Sequence, residues 1–175
     1  IAFLHVTQRP LGISVPEDLI AFRDDVNDKK DLRPWMDSDS TVHLLANLYM
    51  SSVADWTPIG EHTYYLLFNE RNSSFSGTFN GNNHTISNLN ITGTTYRSTG
   101  LFGSVINAEI RDLILDQSCS VTVTPGDYQY MATGGICGTL AGGTVNNCHF
   151  RGSIKVSGNS TSASTGGIAG VMTTD

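Results

Sequence analysis

Charge is scarce in this sequence. Only 15% of its 175 residues are Asp, Glu, Lys or Arg, and the 10 basic residues are scattered and outnumbered by 16 acidic ones. Phosphate backbones are held by clustered Lys and Arg, so a formal net charge of -6 argues against nucleic acid as a partner. Long apolar runs are missing too. None approaches the ~20 residues a membrane-spanning helix needs, so no membrane insertion is expected. The 18 Gly show no G-x-y period, which excludes a collagen triple helix, and 39% apolar residues can bury a core, which excludes wholesale disorder. The length is that of one soluble module. There is no initiator Met, and Ile1-Ala2-Phe3-Leu4 is too short for a signal peptide, so the chain reads as a processed form or an excised fragment.

Composition breaks in the middle. Residues 1–70 hold 11 acidic and 5 basic residues, both Trp and four of the five Pro; residues 71–175 hold 5 and 5, with 16 of the 18 Gly. In the first part, Ser14-Val15-Pro16-Glu17 has the form of a helix start, with a Ser cap, an early Pro and a Glu that closes a capping box. Leu19, Phe22 and Val26 follow at helical spacing, which predicts a short amphipathic helix over 16–27. Val42 to Leu48 predicts one buried strand, and Ile1 to Val6 another. The second part has no helical period. Short alternations such as Thr85-Ile86-Ser87-Asn88-Leu89-Asn90-Ile91 and Ser120-Val121-Thr122-Val123-Thr124, punctuated by Gly, Asn and Ser, predict all-β structure.

An internal repeat organises those strands. Gly100-Leu101-Phe102-Gly103, Gly135-Ile136-Cys137-Gly138 and Gly167-Ile168-Ala169-Gly170 share one pattern at offsets of 35 and 32 residues. A second pattern runs beside it, in Ile86-Ser87-Asn88-Leu89, Ile110-Arg111-Asp112-Leu113 and Val145-Asn146-Asn147-Cys148. A segment with one apolar face and Gly at its corners cannot bury that face alone, whereas stacked coils of such segments enclose a continuous core. On this reading Asn88, Asp112 and Asn147 stand above one another, their side chains bonded to the neighbouring coil.

Trp56-Thr57-Pro58-Ile59-Gly60, then Phe75-Ser76-Gly77-Thr78-Phe79-Asn80-Gly81-Asn82-Asn83-His84-Thr85-Ile86-Ser87-Asn88-Leu89, then Gly100-Leu101-Phe102-Gly103, resemble the GLUG-motif repeats of secreted and surface-attached proteins. The resemblance spans roughly residues 13–170 and departs at Asn80, where Asp is commoner, and at Ala46-Asn47-Leu48, which replaces an acidic strand end. It implies a right-handed β-solenoid on an extracellular or cell-surface protein, often an adhesin, and implies no reaction. The expected division is an N-terminal arm and capping helix over 1–40, then the solenoid over 41–175.

Catalysis on polysaccharide would need two or three carboxylates converging on one face. The solenoid part offers Glu109, Asp112, Asp116, Asp127 and Asp175, and strand alternation predicts that Glu109 and Asp112 point to opposite faces. Asp37-Ser38-Asp39-Ser40 begins like a calcium loop but continues with Thr41 and no Gly or distal Glu in register. The five His show no metal-ligand spacing, so no metal or cofactor is expected. Cys137 and Cys148 occupy core-type positions of one repeat and are equally readable as free buried thiols or as a disulfide, with Cys119 left over. Four N-x-S/T sequons mark Asn72, Asn159, Asn90 and Asn83 as candidates for N-linked glycans, the first two in polar loops, Asn90 facing out of a strand and Asn83 in a tight turn. Stacked Thr pairs of an ice-binding kind, Thr92-Gly93-Thr94 and Thr122-Val123-Thr124, read as out of phase.

The pattern opens a third copy at Thr165 to Met172 shortly before the sequence stops at Asp175. A bare coil end exposes backbone groups and apolar core. A longer solenoid, pairing with earlier coils, or a neighbouring molecule would each cover it. In the last case Ile1, Phe3, Leu4 and Val6 of the apolar arm, beyond a Pro10-Leu11-Gly12 hinge, would add to Ile168 and Val171 of the next subunit, a head-to-tail contact that propagates into a filament. The expected function is therefore a non-catalytic extracellular structural module of a surface adhesin or fibre, with itself or the rest of a larger surface protein as partner. The competing expectation is a carbohydrate-binding or polysaccharide-processing β-helix, whose sugar platform would come from Tyr64, Tyr65, Tyr96, Tyr128 or Tyr130, with Trp56 buried.

Overall fold

The computed structural model describes residues 2–6, 19–22, 41–44, 47–51, 56–60, 74–93, 97–124, 131–158 and 163–173. All regular structure among them is β. A lead-in comprises β1 (Ala2–Val6), β2 (Leu19–Phe22), β3 (Thr41–Leu44) and β4 (Leu48–Tyr49). The first coil then runs through β5 (Thr78–Asn80), β6 (Thr85–Ser87), β7 (Asn90–Gly93), β8 (Ser98–Thr99) and β9 (Phe102–Ile106). The second repeats that order as β10 (Glu109–Arg111), β11 (Ile114–Leu115), β12 (Ser120–Val123), β13 (Met131–Gly134) and β14 (Cys137–Ala141). The third follows as β15 (Thr144–Asn146), β16 (His149–Phe150), β17 (Ser153–Val156), β18 (Ala163–Gly166) and β19 (Ala169–Thr173).

Each strand of the three coils pairs in parallel with its counterpart one coil away, giving five sheets that run along the stack. This is a β-solenoid of three turns. The three Gly-bracketed tetrapeptides lie in register, Phe102 opposite Cys137 and Cys137 opposite Ala169. Inward positions form apolar columns. Val42, Phe79, Ile110 and Val145 make one, and Ile91, Val121 and Ile154 another. Each fully buried side chain of this kind contributes about 1.5–3 kcal/mol, a gain no single coil could secure alone. Phe102 is fully buried, its ring centroid 5.2 Å from Phe75 and 5.3 Å from Phe79.

The second pattern aligns differently from its sequence phasing. Ile110 pairs with Phe79 and Val145, whereas Ile86 pairs with Leu115 one sheet further on. Asn88 therefore sits at a different corner from Asp112 and Asn147, and Asn83 takes its place in their column. The shared signal is the corner itself: Asn83, Asn88, Asp112 and Asn147 all have φ between 49° and 59°. Asn and Asp tolerate the left-handed region, so similar tetrapeptides mark two successive corners.

Three further expectations are corrected. Where an amphipathic helix was predicted, Leu19–Phe22 is a strand that pairs antiparallel with β1, so sheet pairing overrides a helical cap-and-spacing signal; the rest of 16–27 lies outside the described residues. The single strand over 42–48 is two strands, β3 and β4, with Asn47 at the corner between them accepting a hydrogen bond from Thr85 N at 2.9 Å. Thr92 and Thr122 are in phase, directly paired, and Lys155 interrupts the column in the third coil.

Candidate functional site

Two surfaces carry the polar and apolar features that could act. One is the corner column beside the first sheet. Asn147 donates its amide to Asp112 Oδ1 at 2.7 Å and to Asn83 Oδ1 at 3.5 Å, linking all three coils. Below them Asn82 donates to Leu44 O at 2.8 Å and His84 Nδ1 lies 3.3 Å from Asn47 Oδ1, which ties the first coil to the lead-in. Arg111 extends its guanidinium across this corner, 3.0 Å from Asp112 Oδ2 and 3.5 Å from Glu109 Oε1. Glu109 and Asp112 thus reach the same outer surface rather than opposite ones, because the positive φ of Asp112 (54°) breaks strand alternation.

The Asn147 amide, then Arg111, hold the Asp112 carboxyl below its ordinary value of 3.8. Asp116 is held down in the same direction, chiefly by the Ser118 hydroxyl and then by Ser87, which donates to Oδ2 at 2.8 Å. These carboxylates are bonded to the layers around them, an arrangement that staples coils. The pH dependence follows from the sign of the shifts. A folded pKa below the unfolded one gives stability that is present above the unfolded pKa and is lost as pH falls through the folded value. Tm should stay level from pH 7 to about pH 4 and drop below it, and the double variant Asp112→Asn/Asp116→Asn should flatten that acid limb, as thermal melts followed by circular dichroism would show.

The second surface is the outer face of the third coil. Val145, Phe150, Ile154, Val156, Ile168 and Ala169 pack on the core but are only partly buried, whereas their first-coil counterparts Phe79, Ile91, Leu101 and Phe102 are buried. Val171 is half-buried and Met172 is 72% exposed. Ile168 and Val171, expected to take part in assembly, therefore lie partly buried in the third coil. Of the apolar arm, Phe3, Leu4 and Val6 belong to β1, whose two edges are occupied by β2 and β3 of the same chain; Ile1 lies outside the described residues. As placed, the arm is an internal strand of its own sheet.

All three cysteines are free thiols, so Cys137 and Cys148 are not joined in this structure. Burial pushes the Cys137 thiol up to about 12 and also raises Cys119 and Cys148. They pack as small apolar groups, Cys137 in the Phe102 column. Of the glycan candidates, Asn90 is exposed at the start of β7, its Oδ1 accepting from Ser120 Oγ at 2.8 Å, and Thr92 beside it is exposed. Asn83 is exposed but bonded within the corner column. Asn72 and Asn159 lie outside the described residues, as do Tyr64, Tyr65, Tyr96, Tyr128, Tyr130 and the Asp37–Ser40 stretch. Trp56 is buried, its indole donating to Leu101 O at 3.2 Å. Tyr49, which sequence reasoning passed over, is 66% exposed. Among the described residues no group of three or more His, Cys, Asp or Glu could hold a metal ion, and no helix is long and apolar enough to cross a membrane.

No family profile and no solved structure matches the chain. A curated protein does: the chain is 31% identical over 146 residues to a segment of halomucin from Haloquadratum walsbyi. That likeness covers 80% of this chain and about 2% of halomucin, so the chain corresponds to a small part of the length of its relative.

Proposed function

We propose that this chain is a non-catalytic extracellular structural module of the GLUG-repeat type, part of a surface adhesin or fibre, which stacks head-to-tail. The observation that carries the reading is the single apolar core running through three registered coils. Such a body gains stability and length by adding layers. The likeness to a segment of halomucin, a protein named as a mucin, supports the extracellular placement and the larger-surface-protein context. Corner carboxylates engaged in bonds between coils support a structural role for the acidic residues.

The competing carbohydrate-binding reading rests on Tyr49, the exposed ring. A glycan array probed with the purified chain decides between the two. The structural reading expects no saccharide to bind above background, and sub-millimolar binding that disappears in Tyr49→Ala would replace it.

A further inference from the structure

Of the four sequons, two lie wholly within the described residues, and the fold treats them differently. Asn83-His84-Thr85 belongs to the corner column: Asn83 has φ 59°, its Oδ1 accepts from Asn147, and the backbone of Thr85 donates to Asn47. Asn90-Ile91-Thr92 opens a strand. Leu89 and Ile91 are 0% and 1% exposed, so alternation into β7 sets Asn90 and Thr92 on the outer face, where both are exposed. Amide and hydroxyl of one sequon thus share a surface. Asn72 and Asn159 lie outside the described residues, yet Ser74, which completes the Asn72 sequon, is buried and donates to Ser104 Oγ at 3.0 Å.

The immediate surroundings of Asn90 suit a bulky attached group. Ser120, paired with Asn90 one coil on, donates its hydroxyl to Asn90 Oδ1 at 2.8 Å. That bond points the amide oxygen at the neighbouring coil and leaves Nδ2, the atom that would carry a sugar, without a hydrogen-bond partner among the described residues. The next residue in the column is Ser153, also exposed. Small hydroxyl side chains therefore border the site along the sheet formed by β7, β12 and β17, which is a flank of the stack. A group held there points away from the apolar core and leaves the pairing of β7 with β12 in place.

We infer that Asn90 is an N-glycan acceptor, with an oligosaccharide joined to its Nδ2 on the flank of the solenoid. The inference rests on the extracellular placement proposed above. Its co-reactant is a lipid-linked oligosaccharide presented by an oligosaccharyltransferase. Nδ2 attacks the anomeric carbon, the bond from that carbon to the lipid phosphate breaks, the amide sheds one proton, and the phosphorylated lipid leaves with the electron pair. The test is production of the whole chain through a eukaryotic secretory pathway, then enzymatic release of glycans in heavy-oxygen water and peptide mass mapping, which marks each Asn that carried sugar. Asn90 should bear the mark. Asn90→Gln and Thr92→Ala should each lose the mass of one glycan and keep the wild-type Tm within about 2 °C, since both side chains face solvent. A secreted, folded wild type with Asn90 unmarked overturns the inference, whichever other sequon is occupied. So does a glycosylated wild type that melts well below Asn90→Gln, because the fold would then be resisting the sugar. Occupancy in this host reports the acceptor site itself, so it can hold or fail independently of the glycan array, which judges the structural-module reading.

Discussion

Gly138→Ala should destabilise the fold by about 3 kcal/mol or more, lowering Tm by roughly 6–12 °C, while Gly167→Ala should stay within about 0.5 kcal/mol of wild type. The two glycines bracket the same tetrapeptide pattern in successive coils, Gly138 closing one copy and Gly167 opening the next, yet their surroundings are opposite. A Cβ on Gly138 would stand 2.4 Å from Thr99 N and 2.7 Å from Ser98 Cα, both backbone atoms of β8, one coil down. No rotamer change can move backbone aside, so the two sheets that meet there would have to part. Their separation would also stretch the bond of 2.8 Å between Ser98 Oγ and Thr139 Oγ1, which ties the same strands together. Thermal melts of both variants provide the check. Equal losses at the two positions would mean that the glycines serve chain flexibility and not close approach of strands.

Phe102→Ala should cost about 3–5 kcal/mol, the range for a buried aromatic truncated without collapse of its surroundings. Its ring is fully buried between Phe75 and Phe79, and the positions opposite it in later coils are already small, Cys137 and then Ala169. Beyond Phe102 the column narrows to Cys137 and then Ala169, so no large side chain on that side can swell into the cavity. Ile154→Ala, in the half-covered third coil, removes a side chain that water already reaches and should lose distinctly less. Urea titrations with a common slope would give both differences. A larger loss at Ile154 would place the stability of the stack at its far end and contradict the burial gradient.

The solenoid was legible because its determinants are local and periodic. The tetrapeptides recur with Gly at fixed places, and the register of Phe102, Cys137 and Ala169 confirms that alignment residue by residue. What misled was chemistry that recurs more often than the repeat does. An apolar residue, a polar one, Asn or Asp and another apolar one describe any left-handed corner of this coil, so Ile86 to Leu89 resembled Ile110 to Leu113 while lying one sheet away. The Thr92 and Thr122 column was missed for the converse reason. Coils of unequal loop length hide a phase that only strand pairing reveals. Over Leu19–Phe22 the local signal was a good helix start, and the free edge of β1 outweighed it. The direction of β2 could not be anticipated, since it depends on two antiparallel pairings that leave no mark in the residues.

Parallel pairing between successive coils has a consequence for growth. Paired residues such as Ser120 with Asn90, Glu109 with Thr144 and Cys137 with Phe102 are separated by nearly the same length of chain each time. The entropy lost in closing each loop depends on that length, and only logarithmically, so a tenth turn would be no harder to close than a second. A polypeptide built on this plan can be lengthened by gene duplication without slowing the addition of its last layer.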